Sequence, residues 1–251
     1  MKISKLSLAF ATCILSVAAT ASSIDNTSSK KGYSYVVTYD KDMSSISSSN
    51  AAMSLLEGYR ALDDAIFANS DNIAMNILSY VTRFTAASWS MVANHEIGGH
   101  GARAREFDIK VTKYEVDPFS GTTYFRAKDF DSLQVHKKAA IDVGGMQASY
   151  LLSENIKDRY MNNNKINPTY GIGYFIARLD QATYIFDTNF NETDKKDNDI
   201  NAYTKLMNSI YGNNYITKSK MRSYAYLDLM SPFGDQKSLA FRRREDIMKL
   251  L

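Results

Sequence analysis

The stretch SMVANHEIGGHGARAREF, Ser90 to Phe107, carries two of the three histidines of this 251-residue chain, with a glutamate directly after the first. His95 and His100 are five positions apart. On a regular α-helix successive side chains turn by about 100°, so residues five apart point roughly 140° away from each other and cannot meet at one ion. Glu96 and His100, four apart, would share a face instead. Between the histidines stand Ile97, Gly98 and Gly99. Each glycine costs a helix about 1 kcal/mol relative to alanine. Such residues belong where the backbone leaves the regular helix or packs closely. A single π-type turn absorbs one extra residue and swings the two imidazoles to one side. The extra residue and the glycines thus explain each other, and together they predict an irregular turn that brings His95 and His100 to one point. Metal bonds would offset the cost, because ligand binding is coupled to folding.

Working outward, Ile73 to Ala93 is strongly apolar but interrupted by Asn76 and Arg83, which predicts a buried core helix leading into the motif and not a membrane span. Before it, Met53, Leu55, Leu56, Tyr59, Leu62 and Ile66 recur at helical spacing over residues 51–68, preceded by the serine-rich connection Ser44 to Asn50. After the motif, two alternating runs between Phe107 and Ala127 flank Asp117-Pro118-Phe119-Ser120-Gly121, the signature of a β-hairpin with a five-residue loop. A long helix is expected over about 132–161 and another over 170–188. Asn189 to Asn201 reads as a charged exposed loop, and one or two helices follow over 202–251, ending in the basic segment Phe241 to Asp246. The fold class expected is mainly α (α+β), a single helical domain over 51–251 with a small hairpin after the histidine helix.

The first residues point to export. Lys2 and Lys5 precede the apolar run Leu6 to Ala19, and Ala19-Thr20-Ala21 supplies a small-x-small cleavage pattern, giving a signal peptide over 1–21. A polar segment with a short aromatic, β-branched strand at Gly32 to Tyr39 would follow, making up residues 22–50. The expected compartment is secreted or periplasmic, with no integral membrane span after cleavage. The only cysteine, Cys13, leaves with the signal, so stability rests on packing and on any bound metal. Loss of Lys2 and Lys5 lowers 30 basic residues to 28 against 27 acidic ones. A near-neutral chain offers no electrostatic case for nucleic acid.

The seven residues HEIGGHG, His95 to Gly101, resemble the zinc-binding H-E-x-x-x-H helix of the dipeptidyl peptidase III family. More broadly, the order helix, hairpin, helix between Ile73 and Met161 is similar to zincin-type peptidases, in which a later helix gives the third ligand. The resemblance implies one Zn²⁺ on His95 and His100, a water in the open fourth position, and Glu96 as general base for attack on a peptide carbonyl. For the third ligand, AAIDVGGMQAS offers two residues, of which one is expected. Gln147 matches the ligand's place by likeness, and Asp142 is the better donor by chemistry; His136 and Glu154 are lesser options. The function implied is an exported zinc-dependent peptidase-like hydrolase with a peptide or protein substrate. Two alternatives come from other classes: a degenerate zincin-like binding or inhibitory module, and a metal-free helical envelope protein in which Gly98 and Gly99 only allow close helix packing. Arg103, Arg105 and Glu106 read as a solvated helix end, and the 17 tyrosines as packing residues.

Overall fold

Two long helices are built from the apolar periodicities around the histidine motif. In the computed structural model, which describes residues 43–67, 71–161, 167–187 and 198–230, helix α1 (Ser45–Phe67) is followed by α2 (Ile73–Ala93). They run antiparallel: Gly98, just beyond α2, approaches Ser48 at one end, and Ser79 donates to Asp63 at the other. Helix α2 passes without a break into a π-helical segment (Asn94–His100) and then α3 (Gly101–Glu106). The hairpin comes next, β1 (Val111–Val116) pairing antiparallel with β2 (Gly121–Phe125) so that Tyr114 faces Thr123 and Val116 faces Gly121. Gly121 is already part of β2, which leaves residues 117–120 as the turn.

Short α4 (Ala127–Asp131), α5 (Val135–Asp142) and α6 (Gly144–Ile156) follow, the last running on into a second π segment (Lys157–Met161). Helices α7 (Pro168–Asp187), α8 (Asp199–Tyr211) and α9 (Lys218–Met230) complete the order. The architecture is therefore mainly α with one small antiparallel hairpin, as the periodicities imply. The expected signal peptide, the strand at Gly32 to Tyr39 and the basic segment from Phe241 all lie outside the described residues. Among the described residues no helix is long and apolar enough to cross a membrane.

The main core lies where α1, α2, α6 and α7 meet, around Met53, Leu56, Met91, Leu152, Ile156 and Tyr174. A second cluster joins Met146, Ile185, Ile200 and Ala225, tying α6 and α7 to α8 and α9. A third, around Ala104, Ile109 and Ile141, packs the hairpin and α5 under α3. The π segment touches α6, α1, β2 and α5, so it is held from several sides.

Three expectations need correction. The serine-rich stretch is not a connection: residues 45–50 are the first turns of α1, and Ser48 and Ser49 are buried there. The helix expected over 132–161 divides at Val143, because Gly144 and Gly145 carry the backbone up against Gly99. The apolar side chains of α2 are buried only in its second half; in the first, Ile73 is 77% exposed and Tyr80 60%. The side of that first half facing α1 is the polar one. Buried Asp63 accepts from Ser79 Oγ at 2.7 Å and from Arg83 Nε at 2.8 Å, and Tyr59 donates to Thr82 at 2.6 Å. Arg83 is thus a partner for a buried carboxylate, and the apolar residues of those turns are left facing outward.

Candidate metal centre

The insertion between the histidines is absorbed by the backbone. From Asn94 to His100 the chain is π-helical, and the Gly101 N–H donates to Glu96 O, a step of five residues. That step brings residues five apart to one side of the helix. His95 Nε2 and His100 Nε2 come within 3.1 Å, and both side chains are buried. The wide turn needs room beside it. A Cβ on Gly99 would run into the backbone of Gly144 and Gly145, and one on Gly145 would strike the His95 ring. Gly99, Gly144 and Gly145 therefore let the π segment and the start of α6 pack backbone to backbone, with His95 lying over Gly145, while Gly98 makes room for Ser48 of α1.

A third ligand atom comes from α8. Asp199 Oδ2 lies 3.1 Å from His100 Nε2 and 3.3 Å from His95 Nε2. Asp199 is the first residue of α8, whose turn is capped by Asn198 accepting the Asn201 N–H at 3.0 Å. His95, His100 and Asp199 together form a group that could hold a metal ion. The fit is close: tetrahedral ligands at 2.0–2.1 Å from a metal stand about 3.3 Å from one another.

The outer partners of the rings decide what the inner atoms offer. His100 Nδ1 is 2.7 Å from the carbonyl of Ile141, which only accepts, so Nδ1 carries the hydrogen. His95 Nδ1 is 2.8 Å from Asp180 Oδ2 on α7 and donates to it, with Ser149 Oγ at 3.5 Å. Tyr184 stacks on the face of His95, ring centroids 5.4 Å apart, and blocks rotation of the imidazole. In the neutral rings both Nε2 atoms therefore present lone pairs to the same point as a carboxylate oxygen. Three lone-pair atoms this close require a proton or a cation among them.

The electrostatics agree. Burial opposes the charged form of His95, but Asp180 and Asp199 more than compensate and hold its pKa well above the ordinary range. His100 is raised too, Asp199 outweighing the effect of burial. Burial likewise opposes ionised Asp199, yet hydrogen bonds from His100 and His95 keep its carboxyl far below the usual carboxylate range. The site is built for a carboxylate facing positive charge.

Glu96 is buried beside the cluster and is not one of its three ligands. Its Oε2 accepts from Thr123 Oγ1 at 2.6 Å, and Gly121 leaves the space that its side chain fills against β2. Of the expected third ligands, neither joins the two histidines. Gln147 is exposed and accepts from Arg103 Nη2 at 2.9 Å, outside the ligand group. Asp142, at the end of α5, lies near Asp199 and His100 but outside the ligand cluster; burial and the charge of Asp199 push its carboxyl up to about 7. His136 is exposed, and Glu154 pairs with Lys157 and Arg178.

Sequence reasoning placed Asp199 in an exposed loop and did not single out Asp180. Asn198-Asp199 just before an apolar-periodic run is a helix-start signal, and it was the one available cue that this aspartate sits at a defined place. Asp180 carried no such cue, being one polar residue on an otherwise apolar helix. Comparison with protein-family models, curated proteins and solved structures gives no significant match to this chain.

Proposed function

We propose that the chain is an exported zinc-dependent hydrolase acting on peptide or protein substrates. The observation that carries the reading is the convergence of His95 Nε2, His100 Nε2 and Asp199 Oδ2 on one point, each within 3.3 Å of the others. Two neutral imidazoles and one carboxylate, with a fourth position free, are the donor set of hydrolytic zinc sites. Zinc held there would supply a Lewis acid that lowers the pKa of a coordinated water towards about 7. Asp180 and the Ile141 carbonyl keep both rings in the tautomer that directs Nε2 inward. Glu96, one residue from His95 and bonded to Thr123, would act as the base that takes a proton from the attacking water and passes it to the leaving amine. Export is supported by the basic start, apolar run and small-x-small pattern of residues 1–21.

A second reading is favoured by the burial of both imidazoles and by the bond that already engages Glu96. In that reading the metal only ties α8 to the π segment, and the protein is a binding or inhibitory module. Glu96→Gln separates the two, since the amide still accepts from Thr123 but is not a base. The expected result is one zinc per chain in both proteins and hydrolysis of an unfolded protein substrate such as casein by the wild type alone. Zinc without hydrolysis in either protein would select the second reading. No zinc in the wild type would remove both and leave a metal-free helical protein.

A further inference from the structure

Three consecutive carbonyls of the π segment each accept a hydrogen bond from a side chain outside it. Glu96 O accepts from Thr123 Oγ1 of β2 at 3.0 Å, Ile97 O from Arg105 Nη2 of α3 at 3.0 Å, and Gly98 O from Ser45 Oγ of α1 at 2.7 Å. The donors come from three different elements and meet the backbone at the residues that absorb the insertion. Arg105 is itself braced, donating from Nη1 to the Tyr114 hydroxyl at 2.8 Å and from Nη2 to the Met43 carbonyl at 2.5 Å. Where an extra residue enters a helix, the backbone ladder is displaced, and side-chain donors fix the displaced carbonyls in place; Glu96 O already accepts the Gly101 N–H, and Thr123 is its second donor. Glu96, Gly98 and Gly99 are buried, so water is a poor substitute there.

We propose that Ser45, Arg105 and Thr123 are positioning residues that hold Glu96 to Gly98 in the π turn and so keep His95 and His100 at one point. Thr123 has a second part in this. The same hydroxyl lies 2.6 Å from Glu96 Oε2, so its single hydrogen is shared between that carboxylate and the Glu96 carbonyl, and one hairpin residue holds both groups. The consequence for zinc rests on the metal-site reading; the effect on the backbone does not.

The test uses the full chain and the variants Thr123→Val, Arg105→Met and Ser45→Ala. Thr123→Ser keeps the hydroxyl and serves as the rescue. Thr112→Val is the control, because Thr112 donates to Tyr124 O within the hairpin and not to the π segment. Hydrogen exchange of the Gly101 amide, which bonds Glu96 O, is read by NMR without metal, and zinc affinity is then read by competition with a chelator. In Thr123→Val and Arg105→Met the Gly101 amide should exchange at least about tenfold faster, and zinc should bind roughly 10–100-fold more weakly. Ser45→Ala should move both in the same direction, while Thr123→Ser and Thr112→Val stay at wild-type values. Unchanged Gly101 exchange in Thr123→Val and Arg105→Met overturns the proposal, whether or not the protein binds zinc. Faster exchange with undiminished zinc affinity also overturns it. A wild type that binds no zinc removes the metal reading, and the exchange rates still decide whether these side chains hold the turn.

Discussion

His95 Nε2 and His100 Nε2 stand 3.1 Å apart although five residues separate them, and Asp199 Oδ2 closes the triangle from a helix almost a hundred positions away. If the group holds zinc, this triangle makes Asp199 the third ligand. Asp199→Ala should lower zinc affinity by at least 100-fold, comparable to His100→Ala, because each removes one of three protein ligands. Gln147→Ala should change zinc affinity less than threefold, since Gln147 is turned towards Arg103. Chelator competition on the three variants checks this. A larger loss from Gln147→Ala than from Asp199→Ala would return the ligand role to α6.

Asp180 makes no contact with the ligand point but fixes the ring that does. Its carboxylate takes the Nδ1 hydrogen of His95 at 2.8 Å, which sets the tautomer and raises the basicity of Nε2. Asp180→Asn keeps the shape and weakens that acceptor. Zinc affinity should fall roughly 10–100-fold with the stoichiometry still at one. In Asp180→Ala the ring is also free to turn, and the loss should be larger. An Asp180→Asn protein binding zinc like the wild type would confine the pair to a structural role.

The histidine pair and its π turn were legible because the information is local. Helix geometry excludes a shared ion at a five-residue step, and two adjacent glycines mark where the exception falls. The remaining half of the site depends on tertiary placement. Asp199 is one of several acids in a charged stretch, and the helix-start signal at Asn198-Asp199 does not make it a ligand until α8 packs on α5. Gly144 and Gly145, between the two expected ligands Asp142 and Gln147, make room for Gly99 and for the His95 ring. Helix α2 shows the same limit in the core. Its apolar residues do not say which side meets a neighbour, and Arg83 with Asp63 turns the polar side inward.

The charged groups should make the protein without metal and with zinc respond to pH in opposite directions. His95 and His100 have folded-state pKa values raised above 6.5, so the folded form binds their protons more tightly than the unfolded chain. Their contribution is fully present below pH 6.5 and is lost as pH rises through the raised values. Asp142 is raised from 3.8 to about 7, so its ionisation destabilises the fold progressively between those values. Both effects lower the stability of the metal-free protein as pH increases towards 8. Asp142→Asn should flatten the part of the curve between pH 4 and 7, a gain of a few kcal/mol at most at pH 8. Zinc should reverse the trend, because its ligands must be deprotonated and affinity rises with pH. Chemical denaturation at pH 5, 6.5 and 8, with EDTA or with zinc, gives the two slopes. Equal slopes would show that the histidines do not meet a cation.

The last prediction concerns Gly145, on which the His95 ring rests. A methyl group there would collide with the imidazole at Nε2, Cδ2 and Cε1, while a methyl on Gly173 would meet only side-chain ends, Leu56 Cδ1 at 3.1 Å and Ile156 Cδ1 at 3.4 Å. Both glycines lie within helices, where alanine is favoured by about 1 kcal/mol. At Gly173 that gain and the slight crowding should nearly cancel, leaving stability within about 1 kcal/mol of wild type and zinc binding unchanged. At Gly145 the ring is already held by Asp180 and Tyr184 and cannot retreat without leaving the ligand point. Gly145→Ala should therefore lose zinc binding by at least tenfold and cost roughly 1–3 kcal/mol of metal-free stability from overpacking. The informative comparison is affinity against stability in the two variants. If Gly145→Ala bound zinc as tightly as Gly173→Ala, His95 could not lie over Gly145 when the metal is bound. The convergence of the two imidazoles would then belong to some other arrangement of α6 and the π segment.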